Sequence, residues 1–178
     1  MFKDFNISSF KKMKPPGDNT FDTMQEIKAL NKIPLNKKFV KDHDNIESAF
    51  SKVAKEQGIN DYDKNIAAKL IKDSAPVIIE LKKHFDRPRP KVLAKTMNVN
   101  MKDIEMASMK TASYPSGHSA QSMLISKVLS DKYPKAKSAF AKTAKNISYS
   151  RQVAHAHYKS DSTMGDKLGQ KMYNYTKA

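Results

Sequence analysis

Residues 114–132 read YPSGHSAQSMLISKVLSDK, and the reading of this stretch decides the fold. Ser116 is a natural N-cap, so the turn opens a helix that runs to Lys132. Gly117 lets a ligand come close to the backbone, and the first free N–H groups together with the helix dipole form an anion site. His118 then stands in the first turn, beside whatever anion binds. Taken alone, the tetrapeptide reads equally well as an ordinary capped helix with an exposed histidine, so the rest of the chain has to decide.

Outward from this helix the spacing of apolar residues is helical almost throughout, with no alternating strand pattern. Upstream, an irregular arm over residues 1–20 carries Pro15, Pro16 and Gly17. A short amphipathic helix follows over Phe21 to Asn31. The run Asp44-Asn-Ile-Glu47 has the form of a capping box opening a helix to about Gln57, closed by Gly58. Two further helices are expected, over about Asp61–Asp73 and Ser74–Phe85, with Pro76 tolerated in the first turn of the second. Pro88 and Pro90 then force the chain out of the helix. Residues 91–114 read as a long connection with one helical turn near Lys102–Met109. Helices resume downstream over about Lys135–Tyr158 and Ser160–Asn174. The expectation is an all-α protein, with the arm 1–20 followed by a single helical domain over 21–178.

The chain has 178 residues, no cysteine and a formal charge of +15. That length buries a real core without disulfides or metal staples. The lysines are scattered along the whole chain and no basic run is interleaved with aromatics. Lysine on every solvated face is therefore a simpler account than nucleic-acid binding, although the field would draw in any anionic substrate. Arginine is used at positions 87, 89 and 151 alone, which marks places where a rigid bidentate fork is needed. The longest aliphatic stretch, residues 75–81, is far short of the ~20 residues that cross a bilayer. No apolar segment follows the charged N-terminus, so no signal peptide is read and a soluble protein is expected.

Three motifs stand in order. The first is Lys82, then six residues, then Arg89-Pro90; the second is Pro115-Ser-Gly-His118; the third is Ser150-Arg151, five residues, His157, three residues, Asp161. Together they resemble the tripartite signature of the superfamily of type 2 phosphatidic acid phosphatases, bacterial class A non-specific acid phosphatases and vanadium haloperoxidases. Within it the chain is most similar to the soluble class A phosphatases. The resemblance implies a helical bundle of that type and metal-independent hydrolysis of phosphate monoesters without a cofactor. Lys82, Arg89 and Arg151 would bind the phosphoryl oxygens, with Ser116 and the Gly117 N–H completing the cradle. His157 would be the nucleophile, His118 the general acid and Asp161 the group that orients His157.

The chemistry agrees with these roles. Phosphoryl transfer needs charge placed around spreading oxygens, which two arginines, a lysine and a helix N-terminus supply. A nucleophilic histidine must be neutral with its tautomer fixed, and a residue four positions on shares its face of a helical turn. The rival within this class is a phosphatase dedicated to one nucleotide, sugar or lipid phosphate. The rival outside it is a basic nucleic-acid-binding protein carrying a vestigial motif. Haloperoxidases are generally much longer and place extra residues around the oxyanion.

Other candidates take plainer readings. His155 and His157, two apart on a helix, point about 200° apart and do not clasp a metal. His84 is read as surface and His43 as an exposed loop residue, while Arg87 pairs with Asp86. Met106, Met109 and Met123 fill core space. The resemblance points to a homodimer. Class A relatives are usually exported, so either this protein acts in a cytoplasm or it leaves by an unconventional route.

Overall fold

A computed structural model describes residues 1–178. Every regular element is helical: α1 (Ser8–Lys11), α2 (Phe21–Asn31), α3 (Lys37–Asp44), α4 (Ile46–Glu56), α5 (Asn65–Phe85), α6 (Pro90–Thr96), α7 (Gly117–Lys132), α8 (Lys137–Val153) and α9 (Lys159–Lys177), with 3₁₀ turns at Ala107–Lys110 and Pro134–Ala136. The all-α expectation holds.

The helix opened by Ser116 is the centre of the molecule. α7 packs against α5, α8 and α9, and Leu124, Ile125 and Leu129 are fully enclosed among Leu81, Phe140, Ile147, Leu168 and Met172. Burying one such side chain contributes roughly 1.5–3 kcal/mol. Between the apolar positions, α7 carries buried Ser119, Ser122 and Ser126, small enough to let neighbouring backbones close in. On the α9 side the same closeness is set by glycine. A Cβ at Gly165 would overlap the carbonyl oxygen of Ser116, and one at Gly169 would overlap that of Ala120.

Several boundaries differ from the sequence reading, each for a physical reason. Asn45, not Asp44, caps α4, its side chain accepting from the Ser48 N–H at 2.9 Å. Asp44 instead ends α3, a helix absent from the expectation, and His43 lies within it with Nδ1 2.7 Å from the Phe39 carbonyl oxygen. The two helices expected over 61–85 are one, α5, with Pro76 in its interior. Gln121 of α7 braces that point, its Nε2 lying 3.2 Å from the Ile71 carbonyl oxygen and 3.3 Å from the Ser74 hydroxyl. Residues 91–114 begin with α6, because Pro90 occupies its first turn where no N–H is required. α8 stops at Val153, so residues 154–158 form a non-helical link to α9. The N-terminal arm packs Phe2, Phe5 and Phe10 into the main core and is tied down where the Tyr114 hydroxyl donates to the Met13 carbonyl at 2.6 Å.

The glycine contacts give a first test. Gly169→Ala gains helix propensity but forces α9 off α7, and overpacking of this kind costs about 1–3 kcal/mol. A melting temperature lowered by several degrees is expected for Gly169→Ala, against little change for Lys171→Ala on the exposed face of the same helix.

Candidate active site

The three motifs meet at one end of α7. Lys82 comes from the last turn of α5 and Arg89 from the link after it; Gly117 and His118 come from the first turn of α7. His157 comes from the link between α8 and α9. These five, with Ala75, Ile78, Ile79, Ala107, Ser108, Thr111 and Gln121, line a cavity of about 240 Å³. Arg151, Ser116 and Asp161 stand behind this lining, each with no exposed surface.

His157 is held from both sides. Its Nδ1 lies 3.0 Å from Asp161 Oδ2, and its Nε2 lies 3.0 Å from Arg89 Nη1. A guanidinium can only donate, so Nε2 carries a lone pair and the ring proton sits on Nδ1, facing the carboxylate. Burial, together with the neighbouring Arg89, lowers the His157 pKa to about 3 against the pull of Asp161. The ring is therefore neutral across most of the pH range, with its Nε2 lone pair on the cavity side, occupied by Arg89.

Asp161 accepts from His157 Nδ1, from the Tyr158 N–H at 3.1 Å and from the Ser113 hydroxyl, all on Oδ2, while Oδ1 takes Arg87 Nη1 at 2.8 Å. Burial pushes its pKa up. The His157 hydrogen bond, the Arg87 charge and the Ser113 hydroxyl outweigh that and hold it below the ordinary carboxylate value.

Arg87 was expected to pair with Asp86 and does not. Asp86 takes the left-handed conformation that ends α5 and stays exposed. Arg87 turns inward, fully buried, and forks to Asp161, to the Ser160 hydroxyl at 2.7 Å and to Glu26 at 3.1 Å. Its guanidinium carbon sits 3.7 Å from the centre of the Tyr158 ring. Extended backbone sends alternate side chains to opposite sides. The signal was present in Arg-Pro-Arg: Arg89 enters the cavity and Arg87 enters the protein behind it.

The cavity holds more positive charge than the protein balances. Arg89 donates to the backbone carbonyls of Thr111, Ala156 and Ser108, at 2.9, 2.9 and 3.0 Å. Lys82 Nζ donates to the Ala112 carbonyl at 2.6 Å. Burial, then repulsion from Arg89, lowers the Lys82 pKa to about 7. Arg151 gives Nη1 to Asp44 Oδ1 at 2.9 Å and keeps Nη2 buried without a partner. A bound anion would relieve all three.

Asp44 also meets the second histidine. His118 Nε2 lies 2.8 Å from the Asp44 backbone oxygen and 3.7 Å from its carboxylate. Burial and then Arg151 lower the His118 pKa to about 4. The sequence reading missed Asp44 because it was assigned to a helix cap.

Ser116 closes the back of the cradle. Its Oγ accepts from the Ser119 N–H at 3.3 Å and the Ser119 hydroxyl at 3.0 Å, and Ser119 pairs with Ser148 at 2.6 Å. With two bonds accepted, its own proton remains available. The Ser116 N–H donates to the Asp161 carbonyl at 3.0 Å, tying the second motif to the third.

His155 is separate from this site, though not for the angular reason given by a helix, since residues 154–158 are not helical. It adopts φ 55° and places Nδ1 2.7 Å from the Lys102 carbonyl and Nε2 2.7 Å from the Ile33 carbonyl. It clamps two loops to the end of α8. His84 is exposed, near the Lys11 carbonyl at 3.3 Å.

Comparison with known proteins places the chain in a family. A non-specific acid phosphatase of Salmonella typhi is 36% identical over 88 residues, covering 49% of this chain and 35% of that protein. The corresponding protein of Salmonella typhimurium is 35% identical over the same length and coverage. The match thus spans about a third of the length of these relatives. A crystal structure described as the first transmembrane PAP2 type phosphatidylglycerolphosphate phosphatase, from Bacillus subtilis, superposes with a TM-score of 0.61 at 18% identity, covering 99% of this chain and 95% of that one. The likeness is one of fold, for no helix here is long and apolar enough to cross a membrane. The profile of the PAP2 superfamily matches residues 66–170, from α5 to α9 and across all three motifs; the chain belongs to the PAP2 superfamily.

Proposed function

We propose that the protein is an acid phosphatase that hydrolyses phosphate monoesters through a phosphohistidine at His157, without a metal ion. The observation that carries this reading is the neutral His157 ring, its Nε2 lone pair turned toward a cavity whose polar walls are Lys82, Arg89 and His118. The acid phosphatases it resembles, and its family, support the reaction class.

The steps follow from the geometry. The phosphoryl oxygens take the donors of Lys82, Arg89 and the Gly117 N–H, with Arg151 and Ser116 behind. Arg89 leaves Nε2 for the substrate, which frees the lone pair to attack phosphorus. The bond to the leaving oxygen breaks as His118 protonates it. A carbonyl can only accept, so His118 Nε2 is already protonated toward Asp44 and the titrating proton is on Nδ1. Water then attacks phosphorus as His118 takes its proton, the P–N bond breaks with its electron pair returning to His157 Nε2, and phosphate departs. Asp161 keeps the Nδ1 proton of His157 in place throughout.

Purified protein is expected to turn over a chromogenic phosphomonoester with EDTA present and to be inhibited by vanadate. His157→Ala should lower kcat by at least about 10³-fold, since loss of a covalent nucleophile removes the step itself. His155→Ala should behave differently. It removes the ring packed between the Lys102 and Ile33 carbonyls and a hydrogen bond to them, at a cost of about 1–3 kcal/mol, so melting temperature falls while kcat measured below the transition is largely kept. Equal loss of kcat in both variants would sink the assignment of His157.

The two histidines also set the pH response. His157 must be neutral, so turnover rises above about pH 3; His118 must be protonated, so turnover of the free enzyme falls above about pH 4. A bound phosphoryl anion favours the charged form of His118. The basic limb of kcat should therefore lie at higher pH than that of kcat/KM. Folding stability follows the same groups. Both folded values lie below the unfolded value of about 6.5, so stability is complete above that pH and is lost as pH falls toward 4 and then 3. Thermal melts from pH 7 to 4 should show this fall, with vanadate restoring part of it by binding the folded state.

A further inference from the structure

The buried charges behind the nucleophile carry a role that the three motifs do not include. Glu26 of α2 accepts on one oxygen from the Ser160 N–H at 2.8 Å and on the other from the Ser160 hydroxyl at 2.8 Å and Arg87 Nη2 at 3.1 Å. Arg87 Nη1 passes the contact on to Asp161 Oδ1 at 2.8 Å, and Asp161 Oδ2 reaches His157 Nδ1 at 3.0 Å. Arg87, Asp161 and His157 are almost wholly enclosed, while Glu26 stands at the edge with 18% of its side chain exposed. Four residues from α2, the link after α5, the first turn of α9 and the link before α9 thus form one line ending on the reacting nitrogen.

We propose that Glu26 and Arg87 are positioning residues of the reaction: Arg87, aimed by Glu26, acts through Asp161 to keep it ionised in acid and so to hold the proton of His157 on Nδ1. This rests on His157 being the nucleophile only for its kinetic consequence. The tautomer argument stands on the contacts alone. Asp161 is completely buried and works at acidic pH, where a carboxyl without a cation would take up a proton. Once protonated, its O–H would donate to Nδ1, the ring proton would move to Nε2, and the attacking lone pair would be lost.

The other charges near the pair do not replace Arg87. Lys82 and Arg89 face the cavity side of His157, with Arg151 beyond them, and these are the groups that an incoming phosphoryl anion would neutralise. Tyr158 contributes its N–H to Asp161 and its ring face to Arg87, and its hydroxyl donates to the Pro88 carbonyl at 3.0 Å. Ser113 adds a neutral hydroxyl. Arg87 is the cation in direct contact with Asp161, and Glu26 with Ser160 fixes where its fork points.

Arg87→Met, Arg87→Lys and Glu26→Gln in the full chain test this by two readouts. The first is the histidine ¹⁵N spectrum between pH 7 and 4. Wild type is expected to keep His157 as the Nδ1–H tautomer throughout, whereas Arg87→Met should lose that signal as pH falls. The second is the pH profile of phosphomonoester hydrolysis. Arg87→Met should move the acid limb of kcat/KM upward by about one pH unit or more, a tenfold loss at the acid end, with kcat reduced and KM changed less than about threefold because the phosphoryl-binding groups are intact. Arg87→Lys should recover part of the shift. Glu26→Gln removes a negative charge and should leave the limb in place or move it downward, while lowering kcat through a looser Arg87.

An Arg87→Met protein with the wild-type tautomer and acid limb overturns the proposal, as does a loss of kcat that is uniform across pH. If Arg87→Met does not fold, the uncharged Arg87→Gln decides by the same two readouts, a wild-type tautomer and acid limb again overturning the proposal, and a Glu26→Gln protein with wild-type kcat overturns the role of Glu26. A wild-type enzyme that traps no acid-labile phosphoprotein defeats the nucleophile reading instead, and the tautomer measurement still decides the role of Arg87 and Glu26.

Discussion

Asp161 has no exposed surface, yet both of its oxygens are engaged: Arg87 on one, and His157, Ser113 and the Tyr158 N–H on the other. A buried carboxylate costs several kcal/mol of desolvation unless it is paired and fully hydrogen-bonded. Here the cation that meets the cost is itself buried and must be held by Glu26 and the Tyr158 ring. The residues that satisfy this one charge come from α2, the α5–α6 link, the loop before α7 and the start of α9. Meeting the demand of Asp161 therefore fixes how the ends of those elements sit together, and the orientation of His157 is a consequence.

On the other side of His157 the balance is reversed. Lys82, Arg89 and Arg151 converge with one carboxylate in contact, that of Asp44 on Arg151, while Lys82 and Arg89 donate mainly to backbone carbonyls. Carbonyl dipoles of Ser108, Thr111 and Ala112 stand in for the charge that a phosphoryl group would bring. A carbonyl carries only a partial charge, so an arriving dianion would attract the three cations more strongly than those carbonyls do. Burial first, and then repulsion from Arg89, hold the Lys82 pKa below its ordinary value before that happens.

Much of this was legible in the sequence, because the motif residues are chemically specialised and locally constrained. The Ser116 cap, the helix after it and the five cationic or histidine positions could be placed from spacing and residue type. What could not be placed depended on which of two partners a residue would take. Asp44 had a plausible use as a cap, and Asn45 took that use because its side chain reaches the Ser48 N–H, leaving Asp44 for Arg151. Arg87 had Asp86 beside it, and the left-handed turn at Asp86 separated them. Glu26 lies sixty-one positions from Arg87, and no local pattern announces a contact over that distance. Pro76 was read as a helix start since a proline is cheapest there; the side chain of Gln121, again a distant partner, braces it inside α5 instead.

These contacts divide the site into a fixed part and a part free to yield. Ser116 and Asp161 are joined backbone to backbone, and Gly165 sits against Ser116 with no room for a methyl group, so the first turns of α7 and α9 hold Ser116 and Asp161 as one body. Interiors packed at this density do not deform continuously. Arg89 and the segment 107–112 are bound to each other by side chain–to–carbonyl hydrogen bonds that a substrate must replace. Adjustment to a ligand therefore falls on that segment and on Arg89, which must leave Nε2 before it can act. Since Ala107, Ser108 and Thr111 also line the cavity, the contacts that hold Arg89 against His157 and the wall that a ligand would meet belong to the same stretch of chain.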